Sequence, residues 1–216
     1  MAPRCKGYLS DQDTMADIIL DDRKYRYDKL PGDPQLVAYL DSGFQFYRQL
    51  LRFNGMMLHA SAVCMEEKAF LFSGRCGIGK STHTRLWQSV FGDSAQVFND
   101  DKPALRRMND CWYAYGTPWC GKDGINQNRK VPLAGICFLE QSGENRIRRL
   151  ESTEALQYVL AQTPHRFAAV EELDLLLSHV EKLVAEIPIF IFQNRPEPDA
   201  ARLSYETMRR AVEDKR

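Results

Sequence analysis

Residues 74 to 81 read Gly74-Arg75-Cys76-Gly77-Ile78-Gly79-Lys80-Ser81, a full match to the spacing G-x-x-x-x-G-K-[ST]. Each residue type has a physical task in such a stretch. Gly74, Gly77 and Gly79 let the backbone turn tightly, so that successive N–H groups, those of Cys76 and Ile78 included, come within reach of phosphate oxygens. A helix starting at Lys80, with Ser81 and Thr82 in its first turn, aims its positive dipole end at the same anion. Lys80 can extend to the β- and γ-phosphates, and the Ser81 hydroxyl can ligate magnesium. The flanks fit as well: the apolar strand Ala69-Phe70-Leu71-Phe72 comes directly before, and a helical pattern directly after. The ligand implied is a nucleoside triphosphate with Mg2+. No N/T-K-x-D stretch is present to read guanine, which favours ATP.

Asp100 and Asp101 end a short strand pattern that includes Val97 and Phe98. In an α/β sheet such strand ends gather on the edge where the phosphate loop lies. There one carboxylate, Asp101 by preference, can hold the metal with Ser81, and its neighbour can accept a proton from an attacking hydroxyl. Adjacent strand residues point to opposite faces, so both serve only where the strand has ended. His59, within Met57-Leu58-His59-Ala60-Ser61-Ala62, reads by itself as a hydrogen-bonded core histidine. Lys122 sits in Gly116-Thr117-Pro118-Trp119-Cys120-Gly121-Lys122, a loop that either covers phosphates, grips a substrate or only connects elements. Cys76 lies near a helix N-terminus, which lowers a thiol pKa, or fills a position that needs a small residue.

The elements that must position these groups alternate between strand and helix periodicity. A helix opens after Pro31-Gly32-Asp33-Pro34 and ends at Asn54-Gly55. Met56 to Cys64 and Lys68 to Phe72 read as strands joined by Met65-Glu66-Glu67, and short extended stretches are expected at Ile18 to Leu20 and around Tyr25 to Tyr27. Ala104 to Arg107 and Cys111 to Tyr115 read as a hairpin turned at Asn109-Asp110. Pro132 to Leu139 and Ile187 to Gln193 read as strands, and Ser152 to Gln162, Val170 to Ala185 and Pro198 to Val212 as helices. Without a linker among them, the expectation is one α/β domain over residues 1–216, irregular in 1–32. The 216 residues carry 29 Lys+Arg against 29 Asp+Glu, which argues against general nucleic-acid or membrane-surface binding. Six cysteines without a CxxC pair, a start without an apolar signal core and short apolar runs point to a reducing cytoplasm.

Together these pieces resemble the HPr kinase/phosphorylase catalytic domain and its superfamily, which includes the ATP-dependent phosphoenolpyruvate carboxykinases. The resemblance covers residues 33–210. It rests on Leu58-His59-Ala60-Ser61-Ala62-Val63, on Leu71 through Thr82 and on Asn99-Asp100-Asp101. His83-Thr84-Arg85-Leu86-Trp87, the Gly-Thr-Pro-Trp-x-Gly-Lys loop and Leu203 to Glu206 bring the chain nearest to short HPr-kinase-like proteins, among them free-serine kinases and kinases of peptide natural products. The resemblance implies a P-loop fold with a mixed sheet, a homo-oligomeric habit, and a catalytic rather than core role for His59. It implies an ATP- and Mg2+-dependent kinase whose acceptor is a hydroxyl on a small molecule or on a serine of a peptide or protein. Two alternatives stand beside it: a regulatory module that binds nucleotide without turnover, and a carboxykinase-type lyase. The family's separate N-terminal domain and its second signature, the stretch that supports dephosphorylation, are not found, which points away from HPr as acceptor.

Overall fold

The computed structural model describes residues 4–7, 16–19, 34–121, 123–163 and 169–213, with 4–7, 16–19 and 34–37 described by backbone only. Strands β1 (Arg4–Gly7) and β2 (Ala16–Ile19) pair antiparallel as a separate ladder. Helix α1 (Pro34–Leu50) runs through one 3-10 turn and stops at Asn54, whose left-handed φ of 54° lets the chain reverse. Strands β3 (Gly55–Met57), β4 (Ala60–Met65) and β5 (Lys68–Ser73) follow, then α2 (Lys80–Phe91) and β6 (Gln96–Asn99). The hairpin β7 (Ala104–Met108) and β8 (Cys111–Tyr115) leads by a loop to the long β9 (Lys130–Gln141). β10 (Arg146–Arg149), α3 (Ser152–Ala161), α4 (Val170–Glu186), β11 (Ile189–Asn194) and α5 (Pro198–Glu213) complete the order.

β9 organises the sheet. β5 and β11 both pair with it in parallel, β4 pairs antiparallel with β5, and β6 antiparallel with β4. The N-terminal end of β9 pairs with β8, which continues antiparallel into β7 and β3. A mixed, curled sheet results. Because successive strand side chains alternate, each central strand feeds two cores. Ala60, Ala62, Leu71 and Ile136 pack toward α3 and α4 with Val159, Val180 and Leu183. Val63, Phe70, Phe72 and Cys137 pack toward α2 and α5 with Trp87, Ala201 and Met208. A third cluster seats Phe46, Tyr47 and Leu50 of α1 on Met57, Ala104 and Trp119.

Two departures from the sequence expectation bear on the site. The apolar run Met56 to Cys64 is two strands, not one: β3 joins β7, β4 joins β5 and β6, and Leu58-His59 lie between. His59 is therefore at the switch between two ladders rather than inside a strand. β10, with its sequence Arg-Ile-Arg-Arg, carries no apolar alternation and gains its strand form from pairing with β11. Tyr25 to Tyr27 lie outside the described residues. No helix among the described residues is long and apolar enough to cross a membrane.

Candidate active site

The glycine-rich loop, the candidate phosphate site, leaves the C-terminal end of β5 and enters α2 at Lys80. Gly74, Gly77 and Gly79 have φ of 138°, 79° and 111°, conformations that L side chains rarely adopt. At Gly74 a Cβ would also press on the Leu139 carbonyl at 3.2 Å, so the loop starts flush against β9. Cys76 and Gly77 are exposed at the loop tip, Ile78 and Gly79 are half-buried, and Thr82 is exposed on the first turn of α2. Lys80 folds back under the loop, its Nζ donating to the carbonyls of Gly74 at 3.1 Å and Arg75 at 3.3 Å. Burial pushes the Lys80 ammonium below its ordinary value, and the charge of Asp101 pulls against that shift.

β6 stops at Asn99, and the Asn99 side chain builds the turn that follows. Its Oδ1 accepts from the backbone N–H of Lys102 at 2.9 Å and of Asp101 at 3.2 Å. Its Nδ2 donates to the Thr117 carbonyl at 3.0 Å. The strand having ended, Asp100 and Asp101 are not held to opposite faces. Asp100, 7% exposed, accepts from Ser61 Oγ at 2.9 Å. With its own proton given to Asp100, Ser61 Oγ bonds Thr84 Oγ1 at 3.0 Å by accepting the one Thr84 proton, for which the Ser81 carbonyl at 3.2 Å competes. One chain of hydrogen bonds thus runs from the acidic turn through β4 to Thr84 on α2.

Asp101 has a different set of partners within the same site. His59 Nε2 stands 3.1 Å from its Oδ1, and Lys102 pairs with its Oδ2. Burial alone would raise the Asp101 carboxyl, but the bonds from His59 and Lys102 and the Lys102 charge outweigh it and hold it below the usual carboxylate range. His59 is fixed through its backbone, its N–H donating to Gln162 at 2.9 Å and its carbonyl accepting from Ser73 Oγ at 2.8 Å.

The Gly116–Gly121 loop lies on this turn. A Cβ at Gly121 would stand 2.9 Å from the Asp100 carbonyl and 3.2 Å from Asp100 Oδ2. Trp119 anchors the loop to α1, its ring 5.0 Å from Phe46 and 5.4 Å from Tyr47 and its Nε1 donating to the Tyr39 carbonyl at 2.9 Å. Lys122, expected here from sequence, lies outside the described residues. Ser61, Thr84, Asn99 and Lys102 were not singled out from sequence. A serine on the α2-facing side of an apolar strand and an asparagine before two aspartates were the signals available.

Two cavities flank the loop. One of about 510 Å3 opens at Gly74 and Arg75, between the end of β9 and Gln157, Tyr158 and Gln162 of the α3 segment. The other, about 350 Å3, lies at Gly77 to Gly79 and Thr82. Among the described residues no group of three or more His, Cys, Asp or Glu forms a ready-made metal cage. The donor set of one serine hydroxyl and one or two carboxylates fits Mg2+, which keeps waters and takes substrate phosphate oxygens.

No protein-family model matches the chain, and no curated protein matches it. Among solved structures it is similar to the HPr(Ser) kinase/phosphatase from Coxiella burnetii, with 14% sequence identity, 74% of this chain and 92% of that chain covered, and a TM-score of 0.43.

Proposed function

We propose that the chain is an ATP- and Mg2+-dependent kinase that transfers the γ-phosphate to a hydroxyl acceptor. The observation that carries this reading is the hydrogen-bond chain Asp100–Ser61–Thr84, which ties the acidic turn to α2, the helix that the glycine-rich loop opens into. Phosphates would lie along Gly77 to Thr82 on backbone N–H groups, with Lys80 Nζ released from the loop carbonyls to the β- and γ-oxygens. Ser81 and a carboxylate would hold Mg2+, which supplies charge neutralisation on the phosphates. Its link through Ser61 to Thr84, three residues beyond Ser81 on α2, favours Asp100 on the metal side. Asp101, kept ionised and oriented by His59, is then the group that takes the acceptor proton. As that proton moves to Asp101, the acceptor oxygen bonds the γ-phosphorus and the bond to the bridging oxygen breaks, leaving ADP. The acceptor would come in through the cavity at Gly74 and Arg75, the γ-phosphate end of the loop.

The test uses ATP labelled in its γ-phosphate, with L-serine and a serine-containing peptide as first acceptors, alongside calorimetric titration with Mg–ATP. Lys80→Ala should abolish binding. Asp101→Asn should bind ATP yet lose transfer by about 100-fold or more. An unmodified protein that takes up no Mg–ATP sinks the reading, and an Asp101→Asn variant with full activity sinks the assignment of the base. ATP binding without transfer to any hydroxyl would favour a regulatory module instead.

A further inference from the structure

Lys102 directly follows the acidic pair, and both polar groups of its backbone are held. Its N–H donates to Asn99 Oδ1 at 2.9 Å, and its carbonyl accepts from the hydroxyls of Tyr47 and Thr117, each at 2.8 Å. The end of β6, helix α1 and the Gly116–Gly121 loop thus converge on one residue. Lys102 also lines an apolar pocket with Tyr39, Tyr47, Met57 and Trp119, which gives its carbon stem a wall to lie on. Its side chain is 31% exposed, and its ammonium pairs with Asp101 Oδ2. An ammonium carries three donors, and among the described residues Asp101 is the one acceptor this one meets. The Lys102 charge also reaches the glycine-rich loop: burial is the main cause that lowers the Lys80 ammonium, and the charge of Lys102 adds to it. Both oxygens of Asp101 are engaged, Oδ1 by His59 and Oδ2 by Lys102, whereas a base needs an oxygen open to its proton. His59 is fastened through its N–H and its carbonyl, while the Lys102 ammonium ends a flexible four-carbon stem. Lys102 is the partner that can leave.

We propose that Lys102 is a further catalytic residue, whose ammonium turns from Asp101 to an oxygen of the γ-phosphoryl group on the side of the acidic turn. The inference rests on the kinase reading above and adds a second lysine to it. Lys80 serves the β- and γ-oxygens from beneath the loop, and Lys102 serves the γ-phosphoryl from the side where Asp101 meets the acceptor. The single movement has two effects. It brings a cation, in cis, to the charge that develops on the transferred group, and it opens Asp101 Oδ2 to the acceptor proton. The acceptor oxygen bonds the γ-phosphorus, the bond to the bridging oxygen breaks, and the acceptor proton passes to Asp101. Lys102 keeps its own protons throughout and contributes only hydrogen bonds and charge.

The experiment measures, by calorimetry, dissociation constants of the Mg2+ complexes of ADP and of β,γ-imido-ATP, which carries the γ-phosphoryl group but resists its transfer. It uses the unmodified protein, Lys102→Met, which keeps an uncharged stem of similar length, Asp101→Asn and the double variant, with folding checked by melting curves. The unmodified protein is expected to prefer the triphosphate by about tenfold or more. Lys102→Met should narrow that preference by about tenfold while leaving ADP unchanged. The same narrowing should appear when Lys102→Met is added to Asp101→Asn, where no carboxylate remains for the ammonium to orient. A narrowing that vanishes in the Asp101→Asn background shows that Lys102 acts only through Asp101 and overturns the proposed contact. An undiminished preference in Lys102→Met, or no preference in the unmodified protein, overturns it as well and leaves nucleotide binding standing. No binding of either nucleotide by the unmodified protein overturns the kinase reading and this inference together.

Discussion

Ser61 is fully buried and its hydroxyl is the link between Asp100 and α2. Ser61→Ala leaves a buried carboxylate short of one donor, at a cost of about 1–3 kcal/mol in urea denaturation, and should raise the Mg2+ concentration that half-saturates transfer. His83 offers a pH test. Burial pushes its pKa from 6.5 down to about 3, so between those values the unfolded chain binds a proton that the folded chain refuses. Stability from this group is full above pH 6.5 and falls by about 1.4 kcal/mol per unit as pH drops through that window. His83→Gln, which keeps a donor for Ser204, should show a shallower acid-side slope in the same denaturation experiment. At this scale the sequence offered candidates where a residue's type suggests a chemistry, as with Lys80, Ser81 and the aspartates. It was silent where function depends on what a common residue touches. Nothing in a serine's identity told that Ser61 would bridge two elements.

Elements were legible to the extent that their own periodicity decided them. α4 and α5 lie within a residue or so of the expected spans, because each buries one apolar stripe and turns its charged face outward. The run Met56 to Cys64 misled because, His59 and Ser61 apart, it is apolar and contains no turn residue to mark the break. The break is imposed by two different partner strands, which is tertiary information. β10 eluded the sequence for the same reason. The Gly116–Gly121 loop makes a prediction at this scale. Gly121→Ala forces a methyl against Asp100, so transfer should fall several-fold with a loss of no more than about 1–3 kcal/mol in folding free energy. An activity equal to that of the unmodified protein would show that the loop does not register the acidic turn.

Over the whole molecule, the sheet is covered on both faces and its central strands serve two cores at once. Ile136, fully buried on β9, contacts the α3–α4 side, and Ile136→Ala should cost about 2–5 kcal/mol, read as a shift of the denaturation midpoint. Its neighbour Cys137 faces α2 and α5, and burial pushes its thiol up, out of reach of thiolate chemistry. The glycine-rich loop has a further property that follows from β9. Gly74 rests on Leu139, and β5 finds its parallel partner in a strand made long after it. On the ribosome, therefore, the glycine-rich stretch emerges well before the surface that shapes it. β11, the other parallel partner of β9, comes later still. A nascent chain arrested before β9 would carry every letter of the motif and still lack its floor, so the proposed nucleotide capture has to wait until β9 has been made.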